Sequence, residues 1–99
     1  MSEENIEEKL KAALPQLANL SAVVKFDLGD AGQWLIDGRL STPLLSQEDA
    51  DAECTILISA DNLTKLLDGR LDPMLAYTLG KIKVRGSMGV AMKLVSAIG

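Results

Sequence analysis

The sequence predicts an α+β fold, a single domain over residues 1–99 in which helices cover a mostly antiparallel sheet. The chain has 99 residues, long enough for one hydrophobic core and too short for two. Its apolar share of 47% excludes intrinsic disorder. Strand-like segments joined by short turns lie between an N-terminal helix and a largely helical C-terminal part, an order typical of α+β domains.

The N-terminal segment predicts a helix over residues 3–14. Ile6, Leu10 and Leu14 recur at every fourth position, which places them on one face of a helix. Pro15 follows them directly, and proline inside a helix removes a hydrogen bond and clashes with the preceding turn. We therefore expect the helix to end there and a short second turn to begin.

The next part of the chain predicts strands. Residues 23–28 are rich in β-branched and alternating apolar side chains, and residues 34–37 resume the pattern. The intervening residues 29–32 include two glycines, so the two segments predict a hairpin. A short strand is expected at residues 44–45, and residues 54–58 predict a buried strand.

The last third of the chain predicts two helices, a strand and a final helix. Asp61 is expected to cap the first helix, and Asp72 with Pro73 to begin the second. Residues 81–85 alternate charged and apolar side chains, which predicts a strand with one charged face. Residues 88–98 predict the final helix.

Composition excludes several classes of function. Fourteen acidic and ten basic residues give a formal net charge of −4, which argues against a general nucleic-acid binder. Histidine, the commonest general base and metal ligand, is absent from the sequence. A single cysteine, Cys54, excludes a disulfide framework and a thiolate zinc site. We expect a protein that is not an enzyme and that needs no cofactor or metal.

The cysteine count and hydropathy also predict the compartment. A lone Cys54 suits a reducing environment, and no apolar run approaches the ~18 residues of a membrane span. The acidic N-terminus has no signal-peptide pattern. These observations predict a cytoplasmic protein.

The final helix is the most informative element for function. Lys93 and Ser96 alone interrupt an otherwise apolar circumference, so the helix needs cover on two sides. A partner subunit, a membrane surface or an apolar ligand would each provide the second cover. A wide core stripe, broadened by small residues, explains the same pattern without any ligand. Met88 and Met92 would suit ligands of varied shape, because methionine repacks easily.

Two further motifs have an ordinary structural explanation beside a chemical one. Gly86 and Ser87 lie at a strand-to-helix turn, but the sequence lacks the full nucleophile-elbow spacing and a histidine to activate the serine. We expect Ser87 to cap the helix. Asp27, Asp30 and Asp37 surround the hairpin turn and would suit a cation, although turn formation explains Asp30 and strand alternation explains Asp27 and Asp37.

Charge is unevenly distributed along the chain. Residues 1–61 contain twelve acids and four bases, whereas residues 62–99 contain two acids and six bases. Lys81, Lys83 and Arg85 share one side of their strand and either protect an exposed sheet edge or contact anionic lipid headgroups.

The C-terminal half carries a resemblance to a known family. Residues 67–94 read LDGRLDPMLAYTLGKIKVRGSMGVAMKL, which resembles the signature of the sterol carrier protein 2 (SCP2) domain. Residues 26–30, 34–37 and 51–57 fit the hairpin and the following strand of that family. The resemblance covers nearly the whole chain from residue 3 onward, and the chain resembles small stand-alone prokaryotic members of the family.

The resemblance implies both a fold and a function. It implies a five-stranded sheet covered by helices on one side, enclosing an apolar tunnel that the last helix closes. It also implies non-catalytic binding or transfer of fatty acids, acyl chains, sterols or isoprenoid lipids. The alternative is an accessory protein that docks to lipid- or quinone-pathway enzymes, or that dimerises through its C-terminal helix. We expect a monomer or a weak dimer that does not bind nucleic acid.

Nine apolar residues are predicted to line the tunnel. They are apolar positions on the predicted hairpin, the two middle helices and the closing helix. The predicted lipid-binding residues are Trp34, Ile36, Leu63, Leu67, Leu75, Leu79, Met88, Met92 and Val95.

Overall fold

The structure is a computed structural model that describes the backbone of residues 2–98 and the side chains of residues 6–98. The order of its elements confirms the α+β class predicted from the sequence. In chain order they are α1 (Ser2–Ala13), a 3-10 turn (Leu14–Leu17), β1 (Val23–Asp27), a 3-10 turn (Gly29–Ala31), β2 (Gln33–Asp37), β3 (Leu44–Ser46), β4 (Cys54–Ile58), α2 (Ala60–Leu67), α3 (Pro73–Thr78), β5 (Ile82–Gly86) and α4 (Met88–Ile98).

The five strands form one sheet in the order β3-β2-β1-β4-β5. β1 and β4 run parallel, while the other three neighbouring pairs are antiparallel, so the sheet is mostly antiparallel as predicted. The register places Phe26 of β1 between Trp34 of β2 and Ile56 of β4. β3 and β5 are the edges of the sheet.

The two faces of the sheet differ in polarity because side chains alternate along each strand. On one face, Phe26, Ile36 and Ile56 are buried together with apolar side chains of all four helices. On the opposite face, Lys83 and Arg85 are exposed. The helices therefore cover one side of the sheet, and the charged face of β5 lies on the other.

One helix boundary differs from the prediction. α2 is capped by Ser59, whose hydroxyl accepts a hydrogen bond from the backbone N–H of Asn62 (3.1 Å). Asp61 lies inside the first turn and pairs with Lys65 (3.3 Å). The prediction that Asp61 caps the helix is wrong. Serine and aspartate are equally good caps, so residue type alone does not distinguish Ser59 from Asp61. Ser59 holds the extended backbone that a cap requires, with φ −73° and ψ 157°.

The segment around α3 follows the prediction at its start and differs at its end. The Asp72 carboxylate accepts the N–H groups of Met74 (2.9 Å) and Leu75 (3.4 Å), which confirms it as the cap. β5 begins at Ile82 and not at Lys81. The reason is that the Lys81 N–H donates to the Ala76 carbonyl (2.8 Å) and so closes the end of α3.

Candidate functional site

An apolar groove of about 240 Å³ lies between β5, α3 and α4. The surface that lines the groove is entirely apolar. Its lining residues are Ile56, Pro73, Met74, Tyr77, Ile82, Val84, Met88, Ala91, Met92 and Val95. A cavity of this kind suits an apolar ligand.

Three elements position the groove. Ile82 and Val84 alternate with exposed lysine and arginine on β5 and so form its floor. Met88 and Met92 lie four residues apart on α4, hence on the same helix face, and form one wall. Ala91 is 5% exposed at the same helix surface, where its small side chain leaves space between helix and sheet.

The start of α4 is fixed tightly, and this sets the direction of the groove wall. The Ser87 hydroxyl accepts the N–H of Val90 (3.2 Å), which confirms the predicted cap. The Ser87 N–H donates to the Glu53 carbonyl (2.8 Å). Gly86 has a φ of +88°, and a Cβ there would clash with that same carbonyl oxygen. Glycine is therefore required at the turn that aims α4 across the sheet.

The groove is open to solvent along the tips of its methionines and its tyrosine. Met74 is 56% exposed, Met88 44% and Met92 48%, and Tyr77 is 45% exposed. A soluble domain seldom leaves so many large apolar side chains together at its surface unless they contact something else. The groove is thus incomplete as a protein core.

Two further hollows adjoin the groove at Met92. One, of about 510 Å³, shares four lining residues with the groove and also includes Leu66 and Arg70. The other, of about 440 Å³, lies toward Leu17 and Lys93. Ligand pockets usually measure ~300–1,000 Å³, so the groove reaches that range only where it joins a neighbouring hollow. Met92 lines all three and is the side chain at their junction.

Each hollow beyond the groove carries one basic side chain. Arg70 lines the first and forms no ion pair with the described carboxylates. In the second, the Lys93 ammonium donates to the backbone carbonyl of Leu20 (3.4 Å) and ties α4 to the turn after α1. An apolar chain that extended from the groove into either hollow would therefore reach a hollow lined by one cation.

The predicted lipid-binding residues do not all meet in this groove. Met88, Met92 and Val95 line it. Trp34, Ile36 and Leu63 are buried in the main core, at 7%, 0% and 0% exposure, and Leu67 packs against that core half-buried. Leu75 and Leu79 are 55% and 61% exposed and line none of the three cavities described above.

Sequence reasoning missed groove residues for which a signal existed. Ile82 and Val84 are the apolar positions of the alternating strand predicted over residues 81–85, and this alternation puts them on the side opposite the charged face. Met74 and Tyr77 lie three residues apart on α3, a spacing that puts them on one helix face. Ile56 lies on a central strand, and nothing in the local sequence distinguishes it from a core residue.

The carboxylates near the hairpin hold turns together. Asp27 accepts the N–H of Gly29 (2.9 Å). Asp37 receives two bonds from the Arg39 guanidinium, Nε to Oδ1 (3.0 Å) and Nη2 to Oδ2 (2.9 Å), and one from the Arg39 N–H (3.1 Å). Hydrogen bonds from this guanidinium and then from this N–H lower the pKa of Asp37 to about 2. Among the described side chains no group of three possible metal ligands is found.

Comparison with known families matches this chain to the SCP-2 sterol transfer family over residues 4–99. Sterol carrier protein 2 of Oryctolagus cuniculus is 37% identical over 67 residues. That match includes 67% of this chain and 12% of the relative, so this chain corresponds to a small part of the longer protein.

Solved structures share the fold. SCP2L2 from Aedes aegypti, determined in a palmitated form, superposes with a TM-score of 0.74 at 22% identity, covering 99% of this chain and 95% of that one. A ubiquinone synthesis protein, UbiJ-SCP2, superposes with a TM-score of 0.70 at 21% identity, covering 96% and 90%. None of the helices within residues 2–98 is long and apolar enough to cross a bilayer.

Proposed function

This chain belongs to the SCP-2 sterol transfer family, and we propose that it is a non-catalytic carrier of lipids. The apolar chain of a fatty acid, an acyl group, a sterol or an isoprenoid would lie in the groove between α3, α4 and β5. The observation that carries the proposal is the entirely apolar groove bordered by half-exposed methionines. A second support is the palmitated state of the Aedes aegypti protein with the same fold.

Binding by water exclusion alone predicts how affinity varies with the ligand. Each methylene group that leaves water contributes up to ~0.8 kcal/mol, or about fourfold in Kd. Affinity should therefore rise with acyl chain length until the available cavity is filled. The headgroup should matter less than the chain.

In this proposal, the tunnel that the resemblance implies forms when a ligand binds. The groove alone is smaller than most ligand sites, and the flexible Met92 side chain stands where it meets two other hollows. A bound chain would displace Met92 and extend into a neighbouring hollow. Of the nine predicted contact residues, Met88, Met92 and Val95 are therefore proposed to touch the ligand directly.

The test is to measure the binding of fatty acids of increasing length, either by native mass spectrometry or by displacement of an apolar dye. We expect stearate to bind more tightly than palmitate and palmitate more tightly than dodecanoate. Met92→Trp should block all three, while Leu44→Trp, at an exposed site on the far edge strand, should not. Failure of every acyl, sterol and isoprenoid probe to bind the intact chain would contradict the proposal.

A second candidate is an accessory protein that docks to an enzyme of lipid or quinone metabolism, or to a second copy of itself, through α4. It is favoured by the exposure of Met88 and Met92 and by the shared fold with UbiJ-SCP2. Size-exclusion chromatography with an apolar dye separates the two. A monomer or weak dimer that binds dye favours the carrier, whereas a tight dimer that binds none favours the accessory protein.

The cellular setting is also a proposal. A carrier of this kind would be cytoplasmic and would contact anionic membranes transiently through Lys81, Lys83 and Arg85. All three are exposed, and none forms an ion pair with the described carboxylates. A nucleic-acid partner is not expected, because the formal net charge is −4.

A further inference from the structure

Two leucines of residues 73–79, which comprise α3 and its C-cap and are called the α3 segment below, have largely exposed apolar side chains. Leu75 and Leu79 are 55% and 61% exposed, and their spacing of four residues puts them on the same side of the segment. Ala76 between them is fully buried against the core. Six of the eight large apolar side chains that are exposed among the described residues belong to residues 74–92. Exposure of this kind is concentrated in one region of the surface.

Basic residues border the same segment. Arg70 precedes α3, and the Lys81 backbone is hydrogen-bonded to its last turn. Within the described part of the chain, neither of these two pairs with a carboxylate, whereas five other bases do. Residues 70–85 contain four bases and one acid, Asp72, whose carboxylate is engaged as the α3 cap. This stretch is basic in a chain with a net charge of −4.

We propose that the outer side of the α3 segment, formed by Leu75 and Leu79 between Arg70 and Lys81, docks on the surface of an anionic lipid bilayer. This docking face would place both leucines among the acyl chains and both cations at the headgroup phosphates. Apolar side chains bordered by cations are the combination that anionic membrane interfaces favour. The choice of a bilayer rests on the proposed lipid-binding function, because Met74 and Tyr77 of the same helix line the groove.

A second copy of the chain is a poorer occupant of the docking face. Paired copies related by a twofold axis would bring the same cations together, and juxtaposed like charges oppose association. An anionic bilayer instead neutralises them. Docking through this segment would also hold at the membrane surface the helix that carries Met74 and Tyr77, two lining residues of the groove.

Of the three basic residues proposed above to contact anionic membranes, the docking face includes only Lys81. Lys83 and Arg85 extend from the sheet face opposite the helices, whereas Lys81 is joined to the end of α3. The two groups of cations can therefore be tested separately.

Flotation with lipid vesicles tests the apolar part of the docking face. The intact chain should bind vesicles of equimolar phosphatidylglycerol and phosphatidylcholine, and not phosphatidylcholine alone. Leu75→Gln with Leu79→Gln should weaken binding by about tenfold or more. The matched control is Leu40→Gln with Leu44→Gln, which removes two leucines that are 45% and 57% exposed beside the opposite edge strand, and should leave binding unchanged.

The charge pair is tested in the same assay. Arg70→Gln with Lys81→Gln should weaken binding by about fivefold for each cation, and added salt should weaken the intact chain. Lys83→Gln with Arg85→Gln should have a smaller effect. If the strand pair weakens binding as much as the α3 pair, or if the leucine variants bind as the intact chain does, the docking face is wrong.

Binding of a soluble fluorescent fatty acid without vesicles separates this inference from the proposed function. The leucine variants should bind that probe as the intact chain does, which would place the docking face outside the groove. An intact chain that binds anionic vesicles through α3 but no fatty acid would retain the docking face and refute the carrier. A concentration-dependent dimer that the leucine variants abolish would make the face a contact between copies and overturn the inference.

Discussion

At the scale of single residues, exposure distinguishes the methionines of the groove from core residues of similar chemistry. Met92 and Leu94 lie two positions apart on α4, yet Met92 is 48% exposed at the junction of three cavities and Leu94 is 1% exposed in the core. The sequence alone does not distinguish such neighbours, because ligand contact and core packing both select large apolar side chains. Four of the nine predicted lipid-binding residues lie in or against the core for this reason, and two more, Leu75 and Leu79, are exposed outside the groove.

Truncation of Leu94 should therefore affect mainly stability, and truncation of Met92 mainly lipid binding. Leu94→Ala should lower the free energy of unfolding by ~2–5 kcal/mol, as in other buried sites. Met92→Ala should cost ~1 kcal/mol or less, because the side chain already adjoins empty space, yet it should change the preferred acyl chain length. Urea unfolding and fatty-acid titration of both variants provide the comparison. A large loss of stability in Met92→Ala with unchanged lipid affinity would place Met92 in the solid core.

The ion pair between Asp37 and Arg39 gives a pH prediction at the same scale. Hydrogen bonds from Arg39 lower the pKa of Asp37 from 3.8 to about 2. The resulting stability is present above the unfolded pKa and is lost as the pH falls from about 4 through about 2. Arg39→Gln should raise the pKa of Asp37 toward its ordinary value in an NMR titration of the side-chain carboxyl carbon. Arg85→Gln, which does not contact Asp37, should leave that titration unchanged.

At the scale of elements, local signals predicted the strands and helices well. Proline, glycine and capping residues mark most boundaries, and alternation in residues 82–85 predicted which side of β5 is buried. Two boundaries failed where local chemistry is degenerate: Ser59 and Asp61 are both good caps, and Lys81 fits either a strand or a helix end. The approach of α3 to α4 across β5, which creates the groove, depends on long-range packing that no local pattern encodes.

The turn before α4 is the element-scale feature most open to mutation. Gly86→Ala should destabilise the fold by ~1–3 kcal/mol, because alanine is strained at a φ of +88° and its Cβ would clash with the Glu53 carbonyl. Gly89→Ala, three residues later in α4, should be neutral or stabilising by ~0.5–1 kcal/mol. A Cβ at residue 89 would lie 3.8 Å from the Ser87 hydroxyl oxygen, an ordinary van der Waals distance. Thermal unfolding of the two variants tests the contrast, and equal losses would show that the turn imposes no special constraint.

At the scale of the whole molecule, charge and apolar exposure are arranged together. The acids predominate in residues 1–61 and the bases in residues 62–99, which also contain the docking face and every lining residue of the groove except Ile56. The charge asymmetry was visible in the sequence. Only the fold shows that the basic part of the chain also forms the groove and exposes Leu75 and Leu79.

The central claim is that the groove between α3, α4 and β5 is the lipid site, and methyl NMR tests it most directly. In protein labelled at methionine and leucine methyl groups, titration with palmitate should shift the Met74, Met88 and Met92 resonances and give intermolecular nuclear Overhauser effects from these methyls to the acyl chain. The Leu40 and Leu44 methyls, exposed away from the groove, should stay unchanged. Contacts from palmitate to other methyls, with the three methionines unaffected, would contradict the account.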